Sequence, residues 1–185
     1  MGTPVAPSAG DASPIDVFNV RDFGAVGDGI VDDTAAIQAA IDACNAAMQT
    51  DGAQRRVYLP GGDYLVGGIT IAKGLVMWGD GSSTTRLYAR DPGQTTLSLV
   101  APQGNSGSVD LRDIGFADNG MNATGLRLEG LASDRRVTDV RIQDCLFYQL
   151  QTGISMRLAA NVWMSGVHAA ECDGQHRRHL RRSGS

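Results

Sequence analysis

The chain has 185 residues, 24 of them glycine, with 5% aromatic residues and a formal net charge of −4. That length suits one domain, and many glycines with few aromatics favour a coil of tight turns over a large α/β core. Four arginines and no acid lie in the tail from Gln175, leaving −8 for the remainder; a body so acidic argues against nucleic acid as the main partner.

The lead MGTPVAPSAGDASP, residues 1–14, has neither a basic stretch nor an apolar core, so it reads as a disordered lead or linker rather than a signal peptide. Order is expected from Ile15. Phe18 to Phe23 suits a short strand, and GAVGDG, Gly24 to Gly29, is turn chemistry. Asp32-Asp33-Thr34 offers a helix N-cap with acid in the first turn. Ile37, Ile41, Cys44 and Met48 then form a single apolar stripe, which predicts a helix near residues 33–49 that ends by Asp51-Gly52. Strand-length apolar pieces follow: VYLP from Val57, YLV from Tyr64, ITI from Ile69, LVMWGDG from Leu75, RLYA from Arg86 and LSLV from Leu97. No apolar run is long enough to span a membrane.

The second half repeats itself. VDLRDIGF begins at Val109, VRIQDCLF at Val140 and VWMSGVHA at Val162. Overlaid, Val109, Val140 and Val162 coincide, as do Leu111, Ile142 and Met164, then Asp113, Asp144 and Gly166, then Phe116, Phe147 and Ala169. GLRLEG from Gly125 and GISMRL from Gly153 make a second echo. A repeat of this kind means stacked units, none able to bury its apolar face alone. Each unit is made of two short alternating segments joined by polar turns, so the expected fold is all-β, a parallel β-helix. A loop is expected near Asn119 to Arg136, where the spacing lengthens.

The block FNVRDFGAVGDGIVDDTAAIQAAIDAC (Phe18 to Cys44), followed by VYLPGGDYLV (Val57 to Val66), resembles the N-terminal part of the pectate-lyase-like superfamily. The resemblance covers roughly Ile15 to Asp173 and implies a single-stranded right-handed parallel β-helix over residues 15–174 with an N-terminal capping α-helix. Members include polygalacturonases, rhamnogalacturonases, β-1,3-glucanases, mannuronan C5-epimerases and phage tailspike depolymerases. A helix laid across the first coil, stripe inward, covers an otherwise exposed apolar end. Asp28, Asp32 and Asp33 then read as turn and cap residues.

Alternation assigns faces. With Val109, Leu111, Val140, Ile142, Val162 and Met164 inward, Asp110, Arg112, Arg141, Gln143, Trp163 and Ser165 point outward. The expected substrate-binding residues are Asp110, Arg112, Arg141 and Trp163. Arg112, Arg141 and Trp163 are taken as one column, with Asp110 or Asp139 supplying a carboxylate between the guanidinium groups. Trp163 would stack on a pyranose face while the arginines hold an acidic sugar. The same face also reads as a solvated one with ion pairs and an exposed aromatic.

Asp113 and Asp144 are candidate paired carboxylates of glycosidase type, but their place at strand ends favours a ladder of turn residues. His168, Glu171 and Asp173 would need partners from a further coil to form a base or cation site. Cys172 with His176 and His179 imitates zinc ligands only superficially, and no metal site is expected. A disulfide between Cys145 and Cys172 is an open alternative to three free thiols. The Asn-Thr-Asp, His-Gly and Arg-x-Lys segments of polygalacturonases are not found, and where the epimerases carry Asp-Pro-His this chain reads Ser155-Met156-Arg157. No catalytic residue is therefore assigned.

The resemblance implies a carbohydrate-active protein that binds or acts on an acidic polysaccharide such as pectin, alginate or capsule. In full-length form it would be a polysaccharide lyase or glycoside hydrolase, with no cofactor unless a lyase reaction calls for calcium. The alternatives are a non-enzymatic tailspike or structural module, or a truncated inactive fragment. The expected location is extracellular or on a phage virion, as monomer or homotrimer, with no nucleic-acid or membrane partner. Residues 175–185 read as a basic disordered tail at a truncation end, since HRRHLRRSGS has one apolar residue and cannot cap a coil.

Overall fold

A computed structural model describes residues 17–51, 55–102, 104 and 106–172. The expected lead 1–14 and tail 175–185 lie outside these residues, as do Asp173, His176 and His179.

The first coil holds β1 (Val17–Asn19), β2 (Asp28–Asp32) and the helix α1 (Thr34–Asp51). The next three coils each carry three strands: β3 (Arg56–Leu59), β4 (Gly62–Val66) and β5 (Ile69–Ile71); β6 (Val76–Gly79), β7 (Thr85–Ala89) and β8 (Thr95–Ala101); β9 (Val109–Arg112), β10 (Gly115–Ala117) and β11 (Thr124–Gly130). Then follow β12 (Val137–Gln143), β13 (Leu146–Tyr148) and β14 (Thr152–Arg157), and finally β15 (Ala159–Ser165) and β16 (His168–Ala170). Successive coils add one strand to each of three sheets, ordered β1-β3-β6-β9-β12-β15, β2-β4-β7-β10-β13-β16 and β5-β8-β11-β14. Every strand pairing is parallel. The chain is a right-handed parallel β-helix, as the sequence led us to expect.

The echoes are its registers. Val109, Val140 and Val162 are partners, as are Leu111, Ile142 and Met164. Phe116 and Phe147 stack with ring centroids 4.9 Å apart and planes 4° from parallel, and Ala169 continues their column. Leu126 and Leu128 pair with Ile154 and Met156 across the second echo. Inward residues of the middle coils, among them Met77, Leu97, Leu111, Leu128 and Ile142, are fully buried. Each such side chain contributes roughly 1.5–3 kcal/mol relative to exposure.

The echo breaks at Gly166 for a backbone reason. Asp113, Asp144 and Gly166 have φ of 57°, 51° and 61°, the left-handed turn region. Glycine enters it without a steric cost, and aspartate is among the few other residues that do so readily. A β-carbon on Gly166 would collide with the Asp144 carboxylate. The column is a turn ladder. The expected loop near Asn119 to Arg136 divides in two, because β11 runs through it. The turn before β11 is pinned by the buried Asp118 carboxylate, which accepts from the Met121 and Ala123 amides at 2.8 and 3.1 Å. After β11, Ala132 and Arg135 close a short antiparallel bridge.

The helix closes the N-terminal end. Ile37, Ala40, Ile41 and Cys44 are fully buried, and Met48 packs against the same core. Gln38 does a second job: its side-chain amide donates to the Thr70 carbonyl and accepts from the Thr70 amide, each at 3.0 Å. A side chain thereby stands in for a neighbouring strand along β5, the edge of its sheet, and that edge is not left bare.

The three aspartates before the helix are turn and cap residues. Asp28 accepts from the Ile30 and Val31 amides at 2.9 Å, which holds its carboxyl below the usual range, Val31 contributing most. Asp32 accepts from the Thr34 hydroxyl and amide and pairs with Arg90 at 2.6 Å; the Thr34 hydroxyl is the largest cause of its lowered pKa. Asp33 is buried and turns backward, accepting from Val26 and Gly27 at 2.6 and 3.0 Å. The expected acid in the first helical turn is not there, because the helix begins only at Thr34.

No disulfide forms among the described cysteines. Cys44 and Cys145 are buried free thiols, both pushed up to about 11 chiefly by burial, and Cys172 is a half-buried free thiol. The register excludes a Cys145–Cys172 bridge: Cys145 precedes β13, whereas Cys172 follows Glu171 beyond β16.

Candidate functional site

Two outward columns run along the first sheet. One contains Val17, Arg56, Val76, Asp110, Arg141 and Trp163; the other contains Asn19, Tyr58, Trp78, Arg112, Gln143 and Ser165. The expected column of Arg112, Arg141 and Trp163 is therefore corrected. Arg141 and Trp163 are partners, but the residue opposite Arg141 on the other side is Asp110, while Arg112 opposes Gln143. The reason is register: Arg141 follows its inward valine by one residue and Arg112 follows its own by three. The four expected residues do share a face, with Arg112 one column over.

A groove of about 450 Å³ lies on this face, with Arg55, Arg56, Trp78, Asp110, Arg112 and Arg141 among its lining residues. Asp110 is 6% exposed and forms its floor. Arg112 grips it with two bonds, Nε to Oδ1 at 2.8 Å and one terminal nitrogen to Oδ2. That bonding raises the Arg112 pKa further and fixes the plane of the guanidinium. Asp139, the other expected carboxylate, instead accepts from Asn161 at 3.1 Å, at a left-handed φ of 59° within β12. Two guanidinium groups can sit on adjacent rungs because Asp110 neutralises one of them.

Beyond the groove the Arg141 guanidinium stands 5.5 Å from the centroid of the Trp163 ring, which is 51% exposed. Below it Trp78 stacks on Tyr58 with centroids 5.1 Å apart, and the Tyr58 hydroxyl donates to Asp80 at 2.7 Å. That bond is the largest cause of the raised Tyr58 pKa. Sequence reasoning missed Tyr58, Trp78, Arg55 and Arg56. The signal was present: RVYL and VMWG are fainter copies of the echo, and extending the register backward places Trp78 under Arg112.

Chemically, the face offers guanidinium donors for anions and indole rings for apolar sugar faces. Of its lining acids, Asp110 is bonded to Arg112, and Asp113 occupies a left-handed turn position. The other candidates do not converge. His168 is exposed on β16, and Glu171 accepts from Gln149 at 2.8 Å. Among the described residues no group of three His, Cys, Asp or Glu side chains could hold a metal ion. On the third sheet, Ser155 pairs with Arg127 and Arg157 with Glu129, and the Arg157 guanidinium lies 3.5 Å from the Glu129 carboxylate. No described helix is long and apolar enough to cross a membrane.

Comparison with known proteins places this architecture. The family model for rhamnogalacturonase A/epimerase, pectate lyase-like, matches residues 17–121. Mannuronan C5-epimerase AlgE4 of Azotobacter vinelandii is 31% identical over 146 residues, covering 68% of this chain and 25% of that protein. The A-module of AlgE6 from the same organism superposes with a TM-score of 0.62 at 22% identity, over 83% of this chain and 44% of the module. ORF18 of Geobacillus virus E2 superposes with a TM-score of 0.57 at 29% identity, over 70% of this chain and 25% of that one. The chain spans between 3% and 25% of the length of the curated relatives it matches. With three parallel sheets, a capping helix and a family match across more than half its length, the chain belongs to the rhamnogalacturonase A/epimerase, pectate lyase-like family.

Proposed function

We propose that this chain is an acidic-polysaccharide-binding β-helix module whose ligand lies along the outer face of the first sheet. The observation that carries the reading is the groove itself. Arg56, Arg112 and Arg141 converge with Trp78 on one face, over a buried Arg55, in a chain whose net charge is −4. With Arg112 already paired to Asp110, an anionic ligand suits the exposed Arg56 and Arg141, and an indole beside them suits a ring with an apolar face. Uronates combine both. The epimerase and lyase relatives named for mannuronan and alginate support this class of ligand. Lysis, hydrolysis or epimerisation, with calcium if the reaction is a lysis, would rest on residues other than those in this groove. An extracellular setting follows from such a ligand.

The test is a binding and turnover screen on the purified chain with pectins, alginate and capsular polysaccharides. We expect binding that weakens with added salt, since the contacts are to exposed guanidinium groups. Reducing-end and unsaturated-uronate assays report turnover separately. No retention on any polyuronate at low ionic strength would overturn the reading. The likeness to a viral protein, ORF18, raises a second reading, a tailspike or structural module without catalysis. A trimer in sedimentation, with glycan binding and no turnover, would favour it.

A further inference from the structure

Four outward side chains occupy consecutive rungs of the first sheet: Trp78 on β6, Arg112 on β9, Arg141 on β12 and Trp163 on β15. Trp78 and Arg112 are direct register partners, and so are Arg141 and Trp163. The step between the two arginines is diagonal, because their direct partners are Gln143 and Asp110. The order is thus aromatic, cation, cation, aromatic, the same read from either end.

The two cations are prepared differently. Arg112 spends Nε and one terminal nitrogen on the buried Asp110, leaving its other terminal nitrogen to donate, and its side chain is 48% exposed. Arg141 is exposed and braced against the Trp163 ring at 5.5 Å. The Arg112 guanidinium is fixed in place before a ligand arrives, so little of its side-chain entropy remains to be lost on binding, while Arg141 is biased toward the Trp163 ring. Rungs are about 4.8 Å apart, so the array rises about 14 Å along the stack. The diagonal step between the two arginine positions is wider, about 7–8 Å. A pyranose with its glycosidic oxygen advances by roughly one rung, and the two long arginine side chains have the reach to take up the wider central step.

We infer that this array reads a four-sugar segment whose two central residues are acidic, while the two outer sugars lie against Trp78 and Trp163. The inference rests on the proposed polyuronate-binding reading and adds to it a length and a charge pattern. The central carboxylates meet Arg112 and Arg141. The outer positions demand a ring and not a charge, so neutral sugars are accepted there.

The experiment is calorimetric titration at fixed ionic strength with oligomannuronates and oligogalacturonates of two, three, four and six residues. Affinity should rise at least tenfold from the dimer to the tetramer and then level off. Trp163→Ala should lower tetramer affinity to about that of the trimer while weakening the dimer, through the lost support of Arg141, by no more than about twofold, with an unaltered circular dichroism spectrum. A tetramer whose two terminal carboxyls are reduced to alcohols should bind within about twofold of the parent, whereas reduction of the central pair should abolish binding. Equal affinity for dimer and tetramer, or equal weakening of both by Trp163→Ala, overturns the array while leaving polyuronate binding in place. Failure of every oligomer and of the polymers would overturn both.

Discussion

Asp110 and Arg112 lie two residues apart on one strand and point the same way, so the guanidinium closes on a carboxylate that is 6% exposed and forms the floor of the groove. The pair separates stability from binding. Arg112→Ala leaves that carboxylate without its partner and should cost about 1–3 kcal/mol. Arg141→Ala removes an exposed side chain and should stay within about 0.5 kcal/mol. Both should weaken oligouronate binding, by roughly tenfold or more for a lost charge-assisted contact. Urea denaturation beside calorimetry separates the two effects. Equal stability losses in the two variants would contradict the geometry.

The Asp113, Asp144 and Gly166 ladder makes a backbone prediction. Asp144→Gly should be tolerated, since glycine takes a positive φ freely, whereas Asp144→Val should cost about 1–2 kcal/mol or more. Gly166→Ala adds a collision with the Asp144 carboxylate to the φ cost and should lower the melting temperature. If the ladder were a catalytic pair, Asp144→Gly would abolish a turnover that the parent shows. Thermal melts and the turnover assay together decide.

The buried thiols predict both a reactivity pattern and a pH dependence. Burial pushes Cys44 and Cys145 up to about 11, so both stay protonated near pH 8. A disulfide-exchange reagent should titrate Cys172 in the native protein and all three thiols after denaturation. Because these folded-state values lie above the unfolded value of about 8.5, the folded protein holds more protons as pH rises past that point. Their stabilising contribution is complete below about pH 8.5 and is lost progressively toward pH 11. Cys145→Ala should flatten that alkaline decline in a urea series.

The layers of the coil differ in what they bury. Leu128 is fully buried between its neighbours, whereas its partner Met156, on the edge strand β14 of the third sheet, is 51% exposed. Leu128→Ala should cost about 2–5 kcal/mol, and Met156→Ala under about 1 kcal/mol. Chemical denaturation checks the contrast. A large loss at Met156 would mean that something covers the β14 edge in solution.

Much of this architecture was legible before any coordinates. The valine and leucine echoes are the registers of the first sheet, and the stripe Ile37, Ile41, Cys44 is the face of the capping helix. The ladder at Asp113 and Asp144 was legible as turn chemistry. The groove was read only in part: Arg141 and Trp163 fell correctly side by side, but Arg112 was set in their column and Trp78 was passed over. Those errors share a cause. Side-chain neighbours in a β-helix are set by partner residues a whole coil away, and coil lengths vary with the turns between strands.

By itself the sequence determined the repeat, the inward and outward faces and the identity of the cap. All three follow from local alternation and apolar spacing, which act within a few residues. Tertiary structure alone decided that Asp110 would fasten to Arg112, that Asp139 would turn to Asn161, and that Trp78 would join the arginines in one groove. Those choices depend on distances of a few ångströms between side chains on different coils or at strand ends. Hydrogen bonding and packing settle them only once the coils are stacked.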